Sequence, residues 1–509
     1  MSSLRLLARS LLLFAACAFA QPARAQGNYG NSPLGGRAAV LGGTGVALGT
    51  DGAAPFLNPA TMLRIESGSL AFSARFFRYS ELTLERWHQP GAVDAGRFGA
   101  LDLREQTVED RNIESLPDTT CFFFDAPGSK PGTGRAVRTR VLAICTGKTE
   151  EEDTVITNLN FEAASAGQLV NQTQSLNQEW SHRSFGPSAA VALGDRLWLG
   201  TSLFLTRAKL RSAVTVSTLT EQGAGAAITS SYFSSSAGDS WDMLLHVGLS
   251  YQLSEVVTAA LAVRTPSWHL FDDFHTSQVS GFDDGTPQTR YWAGDGSFVV
   301  RQPPRLAIGA AFEWPRLRLE VDAFFDAGND EYARAAYDRD LIVVDGTTVT
   351  SRSRSPIVLT EAVNPIVNVG VGAEWFIART LALMLGAGSD LSALPELASG
   401  VIDATLFRSR MNWLRLGTGV ASYTEYGDLV LGVRGDYGWG EIQAVNAFVE
   451  PNRLDLVDQR EIGVMLVLAG RVSLGTIQRA AIGVQDVVEG AAPEPGDRPP
   501  QPGRAPKKP

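Results

Sequence analysis

The alternation of apolar and polar side chains, residue by residue, is the feature that most constrains this chain. In the segment Leu317–Ala323 one face carries Leu317, Leu319, Val321 and Ala323, and the other carries Arg318, Glu320 and Asp322. Successive side chains of a β-strand point to opposite faces, so this period of two predicts a strand. Such strands are too numerous for a soluble sandwich, and they predict a transmembrane antiparallel β-barrel whose outer face meets lipid.

The same alternation predicts about fourteen strands, an even number that is typical of outer-membrane barrels. The predicted strands are Gly68–Tyr79, Ser115–Asp125, Ala136–Gly147, Trp180–Leu193, Leu197–Val216, Ser240–Leu253, Val256–Arg264, Phe298–Glu313, Leu317–Phe325, Ile366–Phe376, Thr380–Ser389, Asn412–Tyr423, Asp428–Trp439 and Glu461–Leu474. Turns of about two to four residues alternate with polar connections of roughly 15 to 40 residues, which we interpret as periplasmic turns and extracellular loops.

The predicted faces of the strands fit this architecture. In Trp241–Tyr251 the odd-numbered residues are predicted to face lipid, and the even-numbered residues, including His246, are predicted to face the bore. Aromatic residues near strand ends are candidates for an interfacial girdle: Trp375, Tyr423, Tyr437 and Trp439. The inner faces also carry many glycines, which leave space or allow an internal plug to approach closely: Gly370, Gly372, Gly386, Gly388, Gly417 and Gly419.

The two ends of the chain differ from the barrel in composition. Basic residues, an apolar run and an Ala-x-Ala end predict a signal peptide at residues 1–25, and lipoprotein processing at Cys17 is the alternative. No later run of about 18 apolar residues predicts a membrane-spanning helix. The Pro-rich residues 476–509 are predicted to form a disordered periplasmic tail.

Charge and cysteine content narrow the function classes. The net charge of −10 argues against a nucleic-acid partner. Cys121 and Cys145, both after the predicted cleavage site, are a candidate disulfide across a hairpin. Two cysteines do not make a zinc site, so we predict no metal and no cofactor.

A short N-terminal segment carries a family resemblance. Arg37–Leu48 is rich in small residues and leads into Asp51–Ala60, which ends in Asn58-Pro59-Ala60 shortly before the first predicted strand. This segment resembles the N-terminal hatch of the FadL-type long-chain fatty acid transporters of the outer membrane. The domains implied are a hatch at residues 26–67 and a barrel at residues 68–475.

The resemblance implies a fourteen-stranded barrel whose lumen the hatch closes, in the outer membrane of a Gram-negative cell. The implied hatch or gating residues are Phe56, Asn58, Pro59 and Ala60. In this family a kink in the third strand opens the wall sideways, and Gly147, where the third predicted strand ends, is the candidate here. The implied partners are hydrophobic small molecules, fatty acids by default or hydrocarbons, and membrane lipid, with the protein a monomer and not an enzyme.

Two other functions remain open at this level. One is a surface barrel that binds a partner through its long loops. The other is an esterase built on Gly238-Asp239-Ser240, although His246 lies about 20 Å along the same strand from Ser240. The acidic pairs Asp272-Asp273 and Asp283-Asp284 are expected to be solvated loop residues rather than a calcium site.

Overall fold

The computed structural model describes residues 28, 34–85, 106–112, 117–165, 168–222, 226–283, 285, 287–397, 400–401, 408–424, 427–446 and 453–473. The predicted signal peptide, Cys17 and the Pro-rich tail lie outside the described residues. The described helices are α1 (Gly36–Val40), α2 (Ala54–Leu57) and a 3₁₀ helix (Pro59–Arg64). Each is too short to cross a bilayer.

The strands follow one another along the rest of the chain. They are β1 (Ser69–Glu85), β2 (Gln106–Asn112), β3 (Pro117–Asp125), β4 (Arg140–Ser165), β5 (Gln168–Ala192), β6 (Leu197–Gln222), β7 (Ala226–Gln252), β8 (Val257–Arg264), β9 (Trp268–Asp283), β10 (Gln288–Phe298), β11 (Arg305–Glu313), β12 (Leu317–Asp326), β13 (Asn329–Asp345), β14 (Thr348–Val363), β15 (Ile366–Ala378), β16 (Leu381–Asp390), β17 (Gly400–Val401), β18 (Ser409–Thr424), β19 (Gly427–Asn446) and β20 (Arg453–Ser473).

These strands form one closed antiparallel barrel. The first strand, β1, pairs along its length with the last, β20, so the sheet has no free edge there. Several barrel strands are interrupted once and therefore carry two labels: β2 with β3, β8 with β9, β10 with β11, β12 with β13, and β14 with β15. With each interrupted strand counted once and the two-residue β17 left out, the described residues form fourteen barrel strands, which confirms the predicted architecture.

The two faces of the wall separate by polarity. On β18 and β19 the outward residues are apolar and between 40% and 61% exposed: Leu414, Leu416, Val420, Leu429, Leu431 and Val433. The inward residues Arg415, Arg434 and Asp436 on the same strands are buried. Apolar residues outside and charged residues inside are the arrangement of a barrel embedded in lipid. Trp375, Tyr437 and Trp439 also point outward, whereas Tyr423 bonds Glu374 in the bore, so its predicted girdle role is wrong.

Several predicted loops are in fact strands. Residues 149–177 and 326–364 were expected to be polar loops, yet β4, β5, β13 and β14 run through most of them. Antiparallel neighbours satisfy each other's backbone groups in water as well as in lipid. The first half of β14 is exposed on both faces, so it has no apolar face there and the period of two that marks a half-buried strand is lost.

The interruptions bring chain segments into the barrel. Residues 299–304, between β10 and β11, turn inward, and Val300 and Gln302 there are buried. Residues 34–68 lie in the bore near the short turns. At that end Val137, in the connection between β3 and β4, donates its N–H to Leu63 O at 2.7 Å. The N-terminal segment therefore fills the end of the barrel that carries the short turns.

Candidate functional site

Two carboxylates of β12 hold the first half of the N-terminal segment. The Oδ2 atom of Asp322 accepts the backbone N–H groups of Gly45 and Val46 at 2.8 and 2.9 Å. The Oε1 atom of Glu320 accepts those of Ala47 and Leu48 at 2.7 and 2.8 Å. These hydrogen bonds satisfy the backbone N–H groups of a buried loop that has no ladder of its own.

A buried arginine, Arg37, connects the same segment to a second strand of the wall, β15. Arg37 donates from Nε and Nη2 to the two oxygens of Glu374 on β15, at 3.0 and 3.1 Å, and from Nη1 to Leu48 O at 3.1 Å. Tyr423 also donates to Glu374. Burial lowers the pKa of Arg37, but the neighbouring Glu374 and Glu320 outweigh burial and hold it well above its ordinary value. The guanidinium is therefore a permanent cation that crosslinks the segment to the wall.

The predicted residues Asn58, Pro59 and Ala60 form the junction between α2 and the 3₁₀ helix. The Asn58 side chain is fully buried, and its Nδ2 atom donates to Val46 O at 2.7 Å and to Leu249 O of β7 at 3.2 Å. Its Oδ1 atom accepts the N–H of Ala60 at 3.1 Å, which caps the 3₁₀ helix. One amide therefore joins both halves of the segment to the wall.

Glycines of the wall make this approach possible. A Cβ atom on Gly248 would lie 1.9 Å from Asn58 Oδ1, and one on Gly200 would lie 2.3 Å from Ala60 N. A Cβ atom on Gly417 would similarly meet Val40 O at 2.1 Å. The inner glycines therefore serve close approach of the segment rather than open space, which was one of the two predicted readings.

Phe56 is the aromatic contact of the segment with the wall. Its ring stacks on Phe204 with centroids 4.7 Å apart, and its carbonyl oxygen lies 3.1 Å from His246 Nδ1, which donates to it. A Cβ atom on Gly147 would lie 2.8 Å from Phe56 Cζ. The structure thus brings two sequence-predicted residues, Phe56 and Gly147, into direct contact.

A small cavity, partly open to solvent, lies beside Phe56. Leu34, Phe56 and Leu57 of the N-terminal segment line it with apolar surface, and Leu244 does so from β7. Polar side chains line other parts: Glu150, His246, Arg264, Gln302 and Arg305. Gln302 crosses the bore and its Nε2 atom lies 3.0 Å from Glu150 Oε1 and 3.1 Å from His182 Nδ1. The cavity is therefore apolar near the segment and polar near the inward-turned residues 299–304.

The third strand does not end at Gly147 as predicted, because β4 continues to pair with β5 as far as Ser165. Its pairing with β3, however, stops at Thr119 opposite Gly147. Among the described residues, no ladder joins β4 to the wall on that side beyond Gly147. Thr149, where the β4–β5 register shifts, also lines the cavity, so the cavity and the end of the β3–β4 ladder lie next to each other.

Cys121 and Cys145 are directly opposite each other in the short β3–β4 ladder, with Cα atoms 4.2 Å apart, and the structure joins them by a disulfide. Both are buried and pack in the same apolar cluster as Phe56. The disulfide therefore crosslinks the wall just below the point where the ladder stops.

Sequence reasoning did not identify Glu320, Asp322 and Glu374 as anchors. The available signal was position: Glu320 and Asp322 lie on the polar face of the strand predicted at 317–325, and Glu374 lies near the end of the strand predicted at 366–376. Ser240, the candidate esterase nucleophile, donates to Asp242 at 3.2 Å, and His269 lies on the other carboxylate oxygen. The carboxylate separates the hydroxyl from the imidazole, whereas a catalytic triad needs the imidazole in between.

Comparison with known proteins supports the fold. No protein-family model and no curated protein matches the chain. A structure of the Pseudomonas putida toluene transporter TodX matches 87% of this chain and 99% of its own, with 12% identity and a TM-score of 0.52. A second TodX structure matches 86% and 98%, with 11% identity and a TM-score of 0.50. A Pseudomonas aeruginosa FadL homologue also matches, with 11% identity, a TM-score of 0.47 and coverage of 89% and 99%. The chain therefore has the fold of the two TodX structures.

Proposed function

We propose that the protein is a non-enzymatic transporter of the outer membrane that takes up hydrophobic compounds. The observation that supports this proposal is a segment inside the bore with a cavity beside it. Residues 34–68 are held in the bore by Glu320, Asp322 and Glu374, and Leu34, Phe56 and Leu57 present apolar surface to the cavity. Small-molecule sites are typically concave and combine apolar surface with polar groups that orient the ligand.

Long-chain fatty acids are the default substrate class, and hydrocarbons are the second. The mixed lining of the cavity favours a molecule with an apolar body, because Phe56 and Leu57 offer contact area while Arg264 and Arg305 lie at the polar side. The solved toluene transporter with the same fold supports a hydrophobic cargo of some kind.

The release route in this proposal is sideways through the wall near Gly147. The end of the β3–β4 ladder at Gly147 supports it, as does the contact between Gly147 and Phe56. A hydrophobic molecule that left there would enter lipid directly, without crossing water. Movement of Phe56, Asn58 and the following residues would gate this route, so these residues would act as the hatch.

Deletion of residues 26–67, with the N-terminal 25 residues retained, tests the proposal. We expect saturable uptake of a radiolabelled long-chain fatty acid to be lost, since the deletion removes the plug and the apolar side of the cavity. Heat-modifiable migration on gels shows whether the barrel still assembles. Unchanged uptake by an assembled barrel would contradict gating and favour a surface-binding role. Ester hydrolysis that the intact chain shows and Ser240→Ala loses would contradict the non-enzymatic assignment.

A further inference from the structure

The outer wall of β5 and β6 changes from apolar to cationic at one level. Outward-facing Leu199, Leu203 and Leu205 of β6 are between 37% and 43% exposed. The next outward positions on the same strand are Arg207, Lys209 and Arg211, and Arg207 and Arg211 are exposed. On β5 the outward Phe185 is 57% exposed, and the next outward residue is the exposed Arg183. We call Arg183, Arg207, Lys209 and Arg211 the cationic patch.

The aromatic neighbours of the patch place it at the boundary between lipid tails and headgroups. Arg207 lies directly opposite Trp241 of β7 and stacks over its ring at 5.4 Å. Trp241 in turn stacks on Phe271 of β9, which is 58% exposed. Outward aromatic residues mark the membrane interface. From Leu197 to Leu205 the strand has the length, about nine residues, that crosses the apolar layer.

The charges of the patch are only partly balanced. Arg207 pairs with Asp239 at 2.7 Å, and Lys209 pairs with Glu179 at 2.8 Å. Among the described residues, Arg183 and Arg211 form no ion pair. Arg183 lies directly opposite Arg207 in the β5–β6 ladder, and like charges in that relation are destabilising. An anion between them would turn this repulsion into attraction.

We propose that the cationic patch binds the phosphate groups of a lipid in the outer leaflet. Guanidinium groups match the oxygens of a phosphate in pairs, and the patch lies where a headgroup phosphate would be. Along β6, counted from the short turn at residues 193–197, the patch follows the apolar band. It therefore lies at the end of the barrel that carries the long connections, which faces the outer leaflet. This inference does not depend on what passes through the bore.

Native mass spectrometry of the full chain with diphosphorylated lipid A tests the proposal. The test variant is Arg183→Gln with Arg211→Gln. The matched control, Arg352→Gln with Arg354→Gln, replaces two exposed arginines on β14 and removes the same amount of charge. A basic group near an anionic surface contributes about fivefold in affinity, so we expect the test variant to bind roughly 25-fold more weakly. The control should bind as the unaltered chain does.

Two additional probes show whether binding requires the phosphate groups of the lipid and whether free phosphate can replace them. Dephosphorylated lipid A should bind weakly to every variant, and inorganic phosphate should not displace the phosphorylated lipid at equal concentration. Equal binding of the test variant, equal binding of the dephosphorylated lipid, or displacement by free phosphate would each overturn the proposal.

Thermal unfolding gives a second readout that a merely structural role would not produce. In lipid-free zwitterionic micelles, Arg183→Gln should raise the unfolding temperature, because it removes the repulsion with Arg207. Added diphosphorylated lipid A should stabilise the unaltered chain, since a ligand of the folded state shifts unfolding, and should stabilise Arg183→Gln much less. A variant that is less stable without lipid and equally stabilised by it would overturn the assignment.

Discussion

At the scale of single residues, the N-terminal segment is held by hydrogen bonds to buried carboxyl groups rather than by apolar contact alone. Glu320 and Asp322 are buried and adjacent on one face of β12, a combination that would be unfavourable for two carboxylates without donors. Four backbone N–H groups donate to one oxygen of each carboxyl group, and the Arg37 guanidinium forms an ion pair with Glu320 at 3.6 Å. The wall and the segment therefore depend on each other, because neither set of polar groups is satisfied alone.

Neutral replacement of both carboxylates should loosen the segment locally. Glu320→Gln with Asp322→Asn keeps the shapes but weakens hydrogen bonds that contribute roughly 1.5–3 kcal/mol each. We expect hydrogen-exchange protection of the amides of Gly45, Val46, Ala47 and Leu48 to fall at least about tenfold. Asp340→Asn, an exposed and remote change, is the control. Unchanged protection in the double variant would contradict the anchoring role.

At the scale of elements, period-two patterning predicted the barrel strands because it reports a physical contrast between lipid and bore. In Trp241–Tyr251 the odd-numbered residues were predicted to face lipid and the even-numbered ones the bore. Val247 and Tyr251 are exposed and Asp242, Leu244 and Ser250 are buried, which confirms this prediction. The pattern failed where the contrast disappears, as in β13 and β14. It also failed at Tyr423, where an aromatic residue near a strand end bonds a buried carboxylate instead of meeting lipid.

The site could be predicted only in part, for a different reason. Asn58 was identified through the resemblance of a short local sequence to the family hatch, and its cap on Ala60 is likewise a local contact. Glu374 and His246 were not, because their contacts with Arg37 and Phe56 join residues far apart in the chain, and register across many strands determines them. The end of the β3–β4 ladder has no local pattern either, since β4 itself continues through it.

The contact between β4 and α2 at Gly147 provides a test of the sideways route. Gly147→Val would place a branched side chain where Phe56 Cζ lies 2.8 Å from a Cβ position, so the ring must move. We expect uptake of a radiolabelled fatty acid to fall several-fold while the barrel still assembles. Gly435→Val is the matched control, because the nearest atom to its Cβ position is 4.0 Å away. Equal uptake by the two variants would contradict a role for Gly147 in transport.

At the scale of the whole molecule, the closed barrel exposes apolar side chains around its circumference. Leu385, Leu416 and Leu431, on three successive barrel strands, are between 58% and 61% exposed, and Phe185 of β5, on the opposite side of the barrel, is 57% exposed. A continuous apolar surface of this kind is far larger than soluble monomers tolerate. Lipid or detergent is therefore part of the environment in which this fold is stable.

Removal of detergent should make the purified chain aggregate. We expect light scattering to rise and the monomer to disappear in sedimentation once detergent falls below its micellar concentration, since the outward leucines would then meet water. The same protein reconstituted in lipid nanodiscs is the control and should stay dispersed. A soluble monomer without any amphiphile would contradict the assignment of the outer face.

The anchoring of the N-terminal segment also bears on the order of assembly. Its partners Glu320, Asp322 and Glu374 lie more than half the chain further on. The N-terminal segment is therefore synthesised long before β12 and β15, the strands that hold it. The seam between β1 and β20 closes only when the last strand has arrived. Because contacts between residues so far apart in the chain are costly to establish, the N-terminal segment has to be in the bore, or close to it, before β1 and β20 pair and close the barrel around it.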